Sequence, residues 1–242
     1  CQEMTPFDFF PGAVVNPYKV REPDQMMQYY KLELKIATGA QYIITQLGYN
    51  LRKLYELKQY MRRERIDHVP VIPSVYVPTA KIGRMMQKGQ IAGCVMPDDL
   101  LSRLKNEKKP QRLERAALMV AAVKSLGFAG AHIGGFGLKY ADVMHIIERA
   151  EAIGESWRNR SDELIISYPD EFYLFPEGTD GLSDNRTPYQ LGQIDPGVPW
   201  TQDICLLANR MLINEDSTGA RFLQGRLGVR ESPPEGEGWR HG

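Results

Sequence analysis

The 242-residue chain has no excess of either charge, no long apolar run and only three cysteines. Thirty basic residues balance thirty acidic ones, which argues against a surface that binds nucleic acid by neutralising phosphates. No apolar run approaches the roughly 18 residues that span a bilayer, so we expect no membrane span. The cysteines, Cys1, Cys94 and Cys205, are too few and too scattered for a disulfide framework or an all-cysteine zinc site. We therefore expect a reducing, cytoplasmic compartment and no metal site.

Short apolar segments alternate with longer amphipathic ones along the first two thirds of the chain. This periodicity predicts strands over residues 12–16, 41–46, 69–77 and 128–133. It predicts helices over residues 25–38, 50–64, 79–88, 112–126 and 140–153, and a further helix that begins after residue 97. We expect Asn50 and Thr79 to cap two of these helices. Pro70 and Pro73 predict that the third strand is irregular.

Alternation of strand and helix is typical of a parallel sheet, and the pattern provides about four β/α units. The composition changes after Ser161, and residues 167–200 are rich in proline, glycine, aspartate and aromatic residues. We expect this later part to pack as irregular structure, with a short helix over residues 201–212. The predicted division is therefore residues 1–155, with the β/α units, and residues 156–242 as an extension.

Parallel sheets place ligand sites at the carboxyl ends of their strands, so the polar residues that follow each strand are the candidates. Gln46 closes the second strand, and its amide can both donate and accept hydrogen bonds. A solvated strand end is the alternative interpretation of Gln46. Lys31 and Lys35 lie four residues apart on one helix face and are either an anion site or solvated lysines. Gly134 and Gly135 follow the last strand, where a tight turn is the alternative to a ligand loop.

Four stretches of the sequence together resemble the methylenetetrahydrofolate reductase family. They cover residues 12–19, 30–46, 69–73 and 128–135, and the most specific part is residues 35–46 (KIATGAQYIITQ). The resemblance implies a (β/α)8 TIM barrel, an α/β fold. This chain is expected to carry about the last four β/α units, the C-terminal half of the reductase domain, within residues 1–155. Residues 156–242 are then an irregular C-terminal extension.

The resemblance also implies an activity and its partners. The family is expected to bind FAD and to reduce 5,10-methylenetetrahydrofolate to 5-methyltetrahydrofolate, a reaction of one-carbon metabolism and methionine biosynthesis. NAD(P)H or a protein electron donor is expected to reduce the flavin, which then passes a hydride to the folate. A homo-oligomer or hetero-complex is also expected.

Several residues of this sequence match positions that the family uses for its ligands. Gln46 matches a glutamine that contacts the folate or the nicotinamide, and Tyr49 and Tyr76 are expected to flank the folate ring. The matches on the flavin side are given by Asn16, Lys19, Gln28, Lys31 and Lys35. No residue of this chain matches the family's catalytic acid, and the last strand ends in Gly134-Gly135-Phe136-Gly137-Leu138 without the arginine that the family often places there.

These departures leave two alternatives to the reductase hypothesis. One is a non-catalytic, barrel-like partner subunit of a reductase or electron-transfer complex, and the other is a barrel enzyme that binds a phosphate ester at Gly134-Gly135. Half of a barrel would expose two unpaired parallel edges, and the sequence opens with Cys1 rather than methionine. A longer natural chain is therefore expected, in preference to a partner that supplies the other half.

Overall fold

The computed structural model describes residues 9–91 and 93–184, and the helix predicted over residues 201–212 lies outside them. Strands and helices alternate along this part of the chain. The strands are β1 (Gly12–Val15), β2 (Tyr42–Thr45), β3 (Val71–Ile72), β4 (Ser74–Tyr76) and β5 (His132–Gly134). The helices are α1 (Glu22–Ala37), α2 (Leu51–Arg63), α3 (Ala80–Gln87), α4 (Asp98–Asn106), α5 (Lys109–Ser125) and α6 (Tyr140–Ile153), followed by a 3-10 helix (Gly154–Glu163). None of the helices in these residues is long and apolar enough to cross a membrane.

All the strand pairs are parallel, as the alternation of strands and helices predicts. In one sheet β2 lies between β1 and β3, and in a second sheet β4 pairs with β5. Since β3 and β4 are consecutive along one stretch of chain, the two sheets together follow the order β1, β2, β3/β4, β5. The fold is therefore α/β with four neighbouring strand positions.

Pro73 divides the third predicted strand, residues 69–77, into β3 and β4. Val71 and Ile72 pair with β2, whereas Ser74 to Tyr76 pair with β5. Proline has no backbone N–H and cannot donate to a ladder. Ser74 bridges the break, since its hydroxyl donates to the Thr45 carbonyl at 2.6 Å and its amide donates to the Thr45 hydroxyl at 2.9 Å. The predicted irregularity of this strand is confirmed.

Both predicted N-caps are confirmed. The Asn50 side chain accepts the Arg52 amide at 3.0 Å, and the Thr79 hydroxyl accepts the Ile82 amide at 3.3 Å. Three elements begin three or more residues from their predicted start. Helix α1 begins earlier than predicted, at Glu22, and α5 begins earlier, at Lys109. The last strand was predicted over residues 128–133 but covers only His132–Gly134.

One face of the sheet packs on the helices, while the other is partly open. Val15, Ile43 and Val71 are buried against α1 and α2, and Val75 is buried against α5. Helix α2 adds Leu51, Leu54 and Leu57, which are almost fully buried. Burying each such leucine contributes about 1.5–3 kcal/mol to folding. On the opposite face, Val14 is 51% exposed.

Residues 154–184 pack onto the same two cores. Trp157, Leu164 and Leu182 join the cluster around α5, and Leu174 and Phe175 join the cluster around α2. These contacts hold the segment against the rest of the fold. The division predicted at residue 155 stays a prediction.

A buried ion pair on α2 anchors this segment. Lys53 and Glu56 are both fully buried, with Nζ 3.9 Å from Oε1. Lys53 donates to the Phe172 carbonyl, and Glu56 accepts the Phe175 amide at 3.2 Å and the Tyr29 hydroxyl at 3.0 Å. Burial lowers the pKa of Lys53 and raises the pKa of Glu56, while the attraction between the two charges opposes both shifts.

A second ionic network, near the surface, joins α5, α6 and the 3-10 helix. Glu114 on α5 receives two hydrogen bonds from Arg149, at 2.7 and 3.0 Å, and one from Arg160 at 2.8 Å. Arg160 also holds Glu163 at 2.7 Å. The hydrogen bonds from Arg149 lower the pKa of Glu114 to about 2, and those from Arg160 add to the effect.

Replacing Lys53 with methionine is expected to destabilise the protein by about 3–5 kcal/mol, because the Glu56 carboxylate would stay buried without a cation. The double variant Lys53→Met/Glu56→Gln should recover part of that loss. Denaturant unfolding measures both. The matched control is Lys81→Met, since Lys81 is an exposed residue of α3, and this change is expected to alter stability by less than about 0.5 kcal/mol. A loss for Lys53→Met no larger than that of the control would contradict the anchoring role.

Stability is also expected to fall as the pH drops from about 4.5 towards 2. The folded pKa of Glu114 lies below its unfolded value, so its contribution is present above the unfolded pKa and is lost as the carboxylate is protonated. Glu114→Gln should lower stability at neutral pH and reduce the acid-dependent loss. Glu151→Gln removes an exposed partner of Lys124 and should leave the profile unchanged. Equal acid profiles for wild type and Glu114→Gln would show that the network carries no such linkage.

Candidate functional site

The register of β1 and β2 brings two of the predicted ligand residues side by side. Val15 pairs with Thr45, so Asn16 and Gln46 are the next residues along two adjacent parallel strands. The backbone N–H of Gln46 donates to the Val15 carbonyl at 2.7 Å, which extends the strand ladder to the end of the pair. Asn16 and Gln46 therefore lie together at the carboxyl edge of the sheet, both half-buried.

The Asn16 side chain is held at both ends. Its Oδ1 accepts the Tyr18 amide at 3.0 Å, and its Nδ2 donates to the Gly93 carbonyl at 3.2 Å. Gly93 lies 77 residues away, in the turn between α3 and α4. The amide plane of Asn16 is therefore fixed before any ligand binds.

The Gln46 side chain has a defined direction as well. Its Oε1 accepts the amide of Leu47 at 2.9 Å. Because a backbone N–H can only donate, this contact identifies the oxygen of the side-chain amide. No residue in the described part of the chain accepts a hydrogen bond from Nε2, so this nitrogen can donate to an acceptor beyond the strand end.

The two predicted ring-flanking tyrosines, Tyr49 and Tyr76, share one small cavity. Tyr49 is 8% exposed and directs its hydroxyl to the Met86 sulfur at 3.5 Å, whereas Tyr76 is half-buried at the end of β4. Burial, followed by the nearby Tyr76 hydroxyl, raises the pKa of Tyr49. The cavity measures about 20 Å³, roughly the room one water needs. Tyr76 is thus the more accessible of the pair.

The predicted flavin-side residues of α1 form one face of that helix. Gln28, Lys31 and Lys35 are three and four residues apart, so they follow one another along the helix. Lys35 reaches back to β1, where Nζ donates to the Val14 carbonyl at 2.5 Å. Burial, and then the charge of Lys31, lower the pKa of Lys35. Lys31 and Lys35 thus place two positive charges on the same face of α1.

The loop that carries Lys19 is tied to the start of the same helix. The Lys19 amide donates to Oε1 of Gln25, a fully buried residue of α1, at 3.1 Å. The loop therefore connects Asn16, at the end of β1, to the start of α1. The contact fixes the Lys19 backbone beside the predicted flavin residues.

Packing explains the glycine at position 135, just after β5. The Gly134 carbonyl accepts the Val77 amide at 2.8 Å. A Cβ at Gly135 would lie 2.9 Å from Leu138 Cδ1 and 3.0 Å from the Val77 carbonyl oxygen, closer than side chains normally approach. This close approach accounts for glycine at 135 without a bound phosphate.

Two features of the site were not predicted from the sequence. Gly93 meets both Asn16 and Gln46, and Arg112 and Arg115 of α5 line the cavity beside Tyr49 and Tyr76. Gly93 lies in the apolar segment 91–96, where its neighbours gave no sign of a ligand site. The signal available was the pair of glycines at 89 and 93 in one inter-helix loop.

The geometry of the strand ends defines a class of protein. Parallel strands joined by helices, with polar side chains gathered at the carboxyl edge, are the arrangement of α/β enzymes that bind ligands at that edge. A sequence model of the methylenetetrahydrofolate reductase family matches residues 7–138, and the chain belongs to that family. The family is one of oxidoreductases in folate-linked one-carbon metabolism, and its fold is the TIM barrel.

A curated relative gives a more limited match. The chain is 29% identical over 79 residues to methylenetetrahydrofolate reductase 2 of Schizosaccharomyces pombe. The matched region is 31% of this chain and 12% of the relative. The chain thus aligns with only a small part of that relative's length.

Proposed function

We propose that this chain takes part in the flavin-dependent reduction of 5,10-methylenetetrahydrofolate to 5-methyltetrahydrofolate. The observation that carries the proposal is the pairing of Asn16 and Gln46 at the ends of β1 and β2, beside the lysines of α1. A flavin-side residue and a folate-side residue are then next to each other, as transfer between two ligands requires. The electron donor is proposed to be NAD(P)H or a reduced protein, and a homo-oligomer or hetero-complex stays a prediction.

The barrel organisation is part of the same proposal. We assign the four strand positions to the last four of eight, within residues 1–155, and residues 156–242 to an extension. Successive carbonyls along β1 point to opposite sides of the strand, and the Val15 carbonyl points towards β2. The Val14 carbonyl therefore points away from β2, to the side where the described residues place no strand. This free edge is where a preceding strand of a complete barrel would pair.

The α1 face fits the phosphates of FAD. Lys35 uses one ammonium donor on Val14, which leaves two, and no ion pair of Lys31 or Lys35 with a carboxylate is found within the part of the chain described. A pyrophosphate would relieve the repulsion between the two lysines. Gln28 and the loop of Asn16 and Lys19 would complete the flavin side. When bound, FAD supplies the hydride for the reaction.

Gln46 and Tyr76 fit the role of positioning the folate. With Oε1 held by Leu47, Gln46 offers Nε2 donors, which suit an acceptor on a pterin ring. Tyr76 provides an aromatic surface near the end of the next strand position, with Tyr49 packed behind it. These side chains bind and orient the substrate, and the proton donor for the reaction is not assigned to this chain.

Gln46→Ala is expected to raise the KM for the folate by about tenfold while FAD stays bound, because it removes one hydrogen bond on the folate side. Steady-state and half-reaction kinetics of the full-length protein measure the effect, and the flavin absorbance band reports FAD. Gln41→Ala, at the exposed opposite end of β2, is the matched control. Unchanged kinetics for both half-reactions of Gln46→Ala would remove the folate role.

Lys35→Met is expected to weaken FAD binding by about 10- to 100-fold, since a hydrogen bond from a charged donor is lost. Titration of the apoprotein with FAD, followed by flavin fluorescence, measures the dissociation constant. The difference from wild type should shrink at high salt. Lys105→Met, exposed on α4, is the control and should bind FAD as wild type does. Equal affinity for Lys35→Met and the control would overturn the assignment.

A further inference from the structure

The turn between α3 and α4 reaches over the carboxyl edge of the sheet. The Cys94 amide donates to the Ile91 carbonyl at 3.3 Å, and Gly93 has a φ of +72°. At such a position glycine avoids the steric cost that a Cβ brings. The turn thereby directs the Gly93 carbonyl to the Asn16 amide, 3.2 Å away.

The absence of a side chain at Gly93 also matters for Gln46, whose side-chain amide lies next to it. A Cβ at position 93 would lie 3.0 Å from Gln46 Nε2, tighter than most real Cβ contacts. Gln46 cannot simply reverse its amide, because Oε1 accepts the Leu47 amide at 2.9 Å. A Cβ at position 93 would therefore force Gln46 Nε2 to move by a few tenths of an ångström.

We propose that Gly93 is a positioning residue that sets the orientation of both the Asn16 and the Gln46 side-chain amides. Its carbonyl holds the first amide, and its missing side chain leaves room for the second. The inference rests on the proposed function only insofar as these two amides contact flavin and folate. Because Gly93 acts through both, it couples the flavin side of the site to the folate side.

The chain provides a matched comparison in Gly89. Gly89 follows α3 in the same loop and has a φ of +69°, nearly that of Gly93. Apart from its two chain neighbours, no atom of the described residues lies within 4 Å of a Cβ built at Gly89. Alanine at either position meets the same backbone cost, and only alanine at 93 meets Gln46. The difference between the two variants isolates the contact from the backbone strain.

The first experiment records the side-chain amide resonances of Asn16 and Gln46 in ¹H–¹⁵N NMR spectra of the full-length protein. The resonances are assigned from their loss in Asn16→Ala and Gln46→Ala. Gly93→Ala is expected to shift both resonances, and Gly89→Ala is expected to leave them in place. Unshifted resonances in Gly93→Ala would overturn the proposal, whatever reaction the protein catalyses.

Unfolding gives a second readout that is independent of activity. The backbone cost should raise the unfolding equilibrium constant roughly 5- to 30-fold in both glycine variants. Gly93→Ala should lose more than this, and Gln46→Ala in the same chain should remove much of the excess. The effect of Gly89→Ala should not change in that background. Equal losses in the two glycine variants would contradict a contact between position 93 and Gln46.

Kinetics separates the positioning role from the proposed reaction. Gly93→Ala is expected to raise the KM for 5,10-methylenetetrahydrofolate by about tenfold, the equivalent of one hydrogen bond, while Gly89→Ala stays close to wild type. Shifted resonances in a protein whose wild type neither binds FAD nor turns over folate would retire the proposed function and keep the positioning role. Shifted resonances with an unchanged KM would show that the two amides do not orient the folate, and would overturn the inference for this site.

Discussion

The parallel pairing of β1 with β2 is the constraint on which the rest of the site depends. Its register sets Val15 opposite Thr45, and therefore brings Asn16 next to Gln46. A shift by one residue would turn Ile43 from the buried helix-facing side to the open side. The burial that stabilises the sheet thus also fixes which polar residues meet at its edge. Packing and site geometry are consequences of one register.

The break at Pro73 shows how the strands keep their order while the chain exchanges one pairing partner for another. Proline removes a ladder donor between Ile72 and Ser74, and the strand pairs with β2 before the break and with β5 after it. The hydroxyl of Ser74 replaces part of the lost pairing through Thr45. The strand end at Tyr76 stays near the other strand ends as a result. A continuous strand is therefore not required for a shared carboxyl edge.

Local signals in the sequence were sufficient for most of the elements. Asn50 and Thr79 cap helices because a short polar side chain precedes an apolar period, and both caps depend on residues two or three positions away. The prolines predicted the break in residues 69–77, but not the exchange of pairing partner from β2 to β5, because those strands are distant in sequence. The candidate residues at the strand ends followed from the parallel pattern and from the family resemblance.

Contacts between residues far apart in the chain could not be predicted in the same way. Gly93 meets Asn16 across 77 residues, and the Lys53 ammonium donates to a carbonyl 119 residues away. Composition places a lysine on the surface by default, and only the folded chain shows that Lys53 is fully buried. Such residues carry no local pattern, because their roles depend on partners that the fold alone brings near.

The lysines of α1 show how one side chain can serve both the fold and a ligand. Lys35 donates to the Val14 carbonyl, on the side of β1 where the described residues place no strand. The ammonium stays close to Lys31, and burial together with that like charge lowers its pKa. The hydrogen bond to β1 thus holds the Lys35 ammonium in place, while the positive charge of Lys31 on the same helix repels it. In the proposed function, an anion between the two lysines would relieve that repulsion while the hydrogen bond to Val14 stays in place.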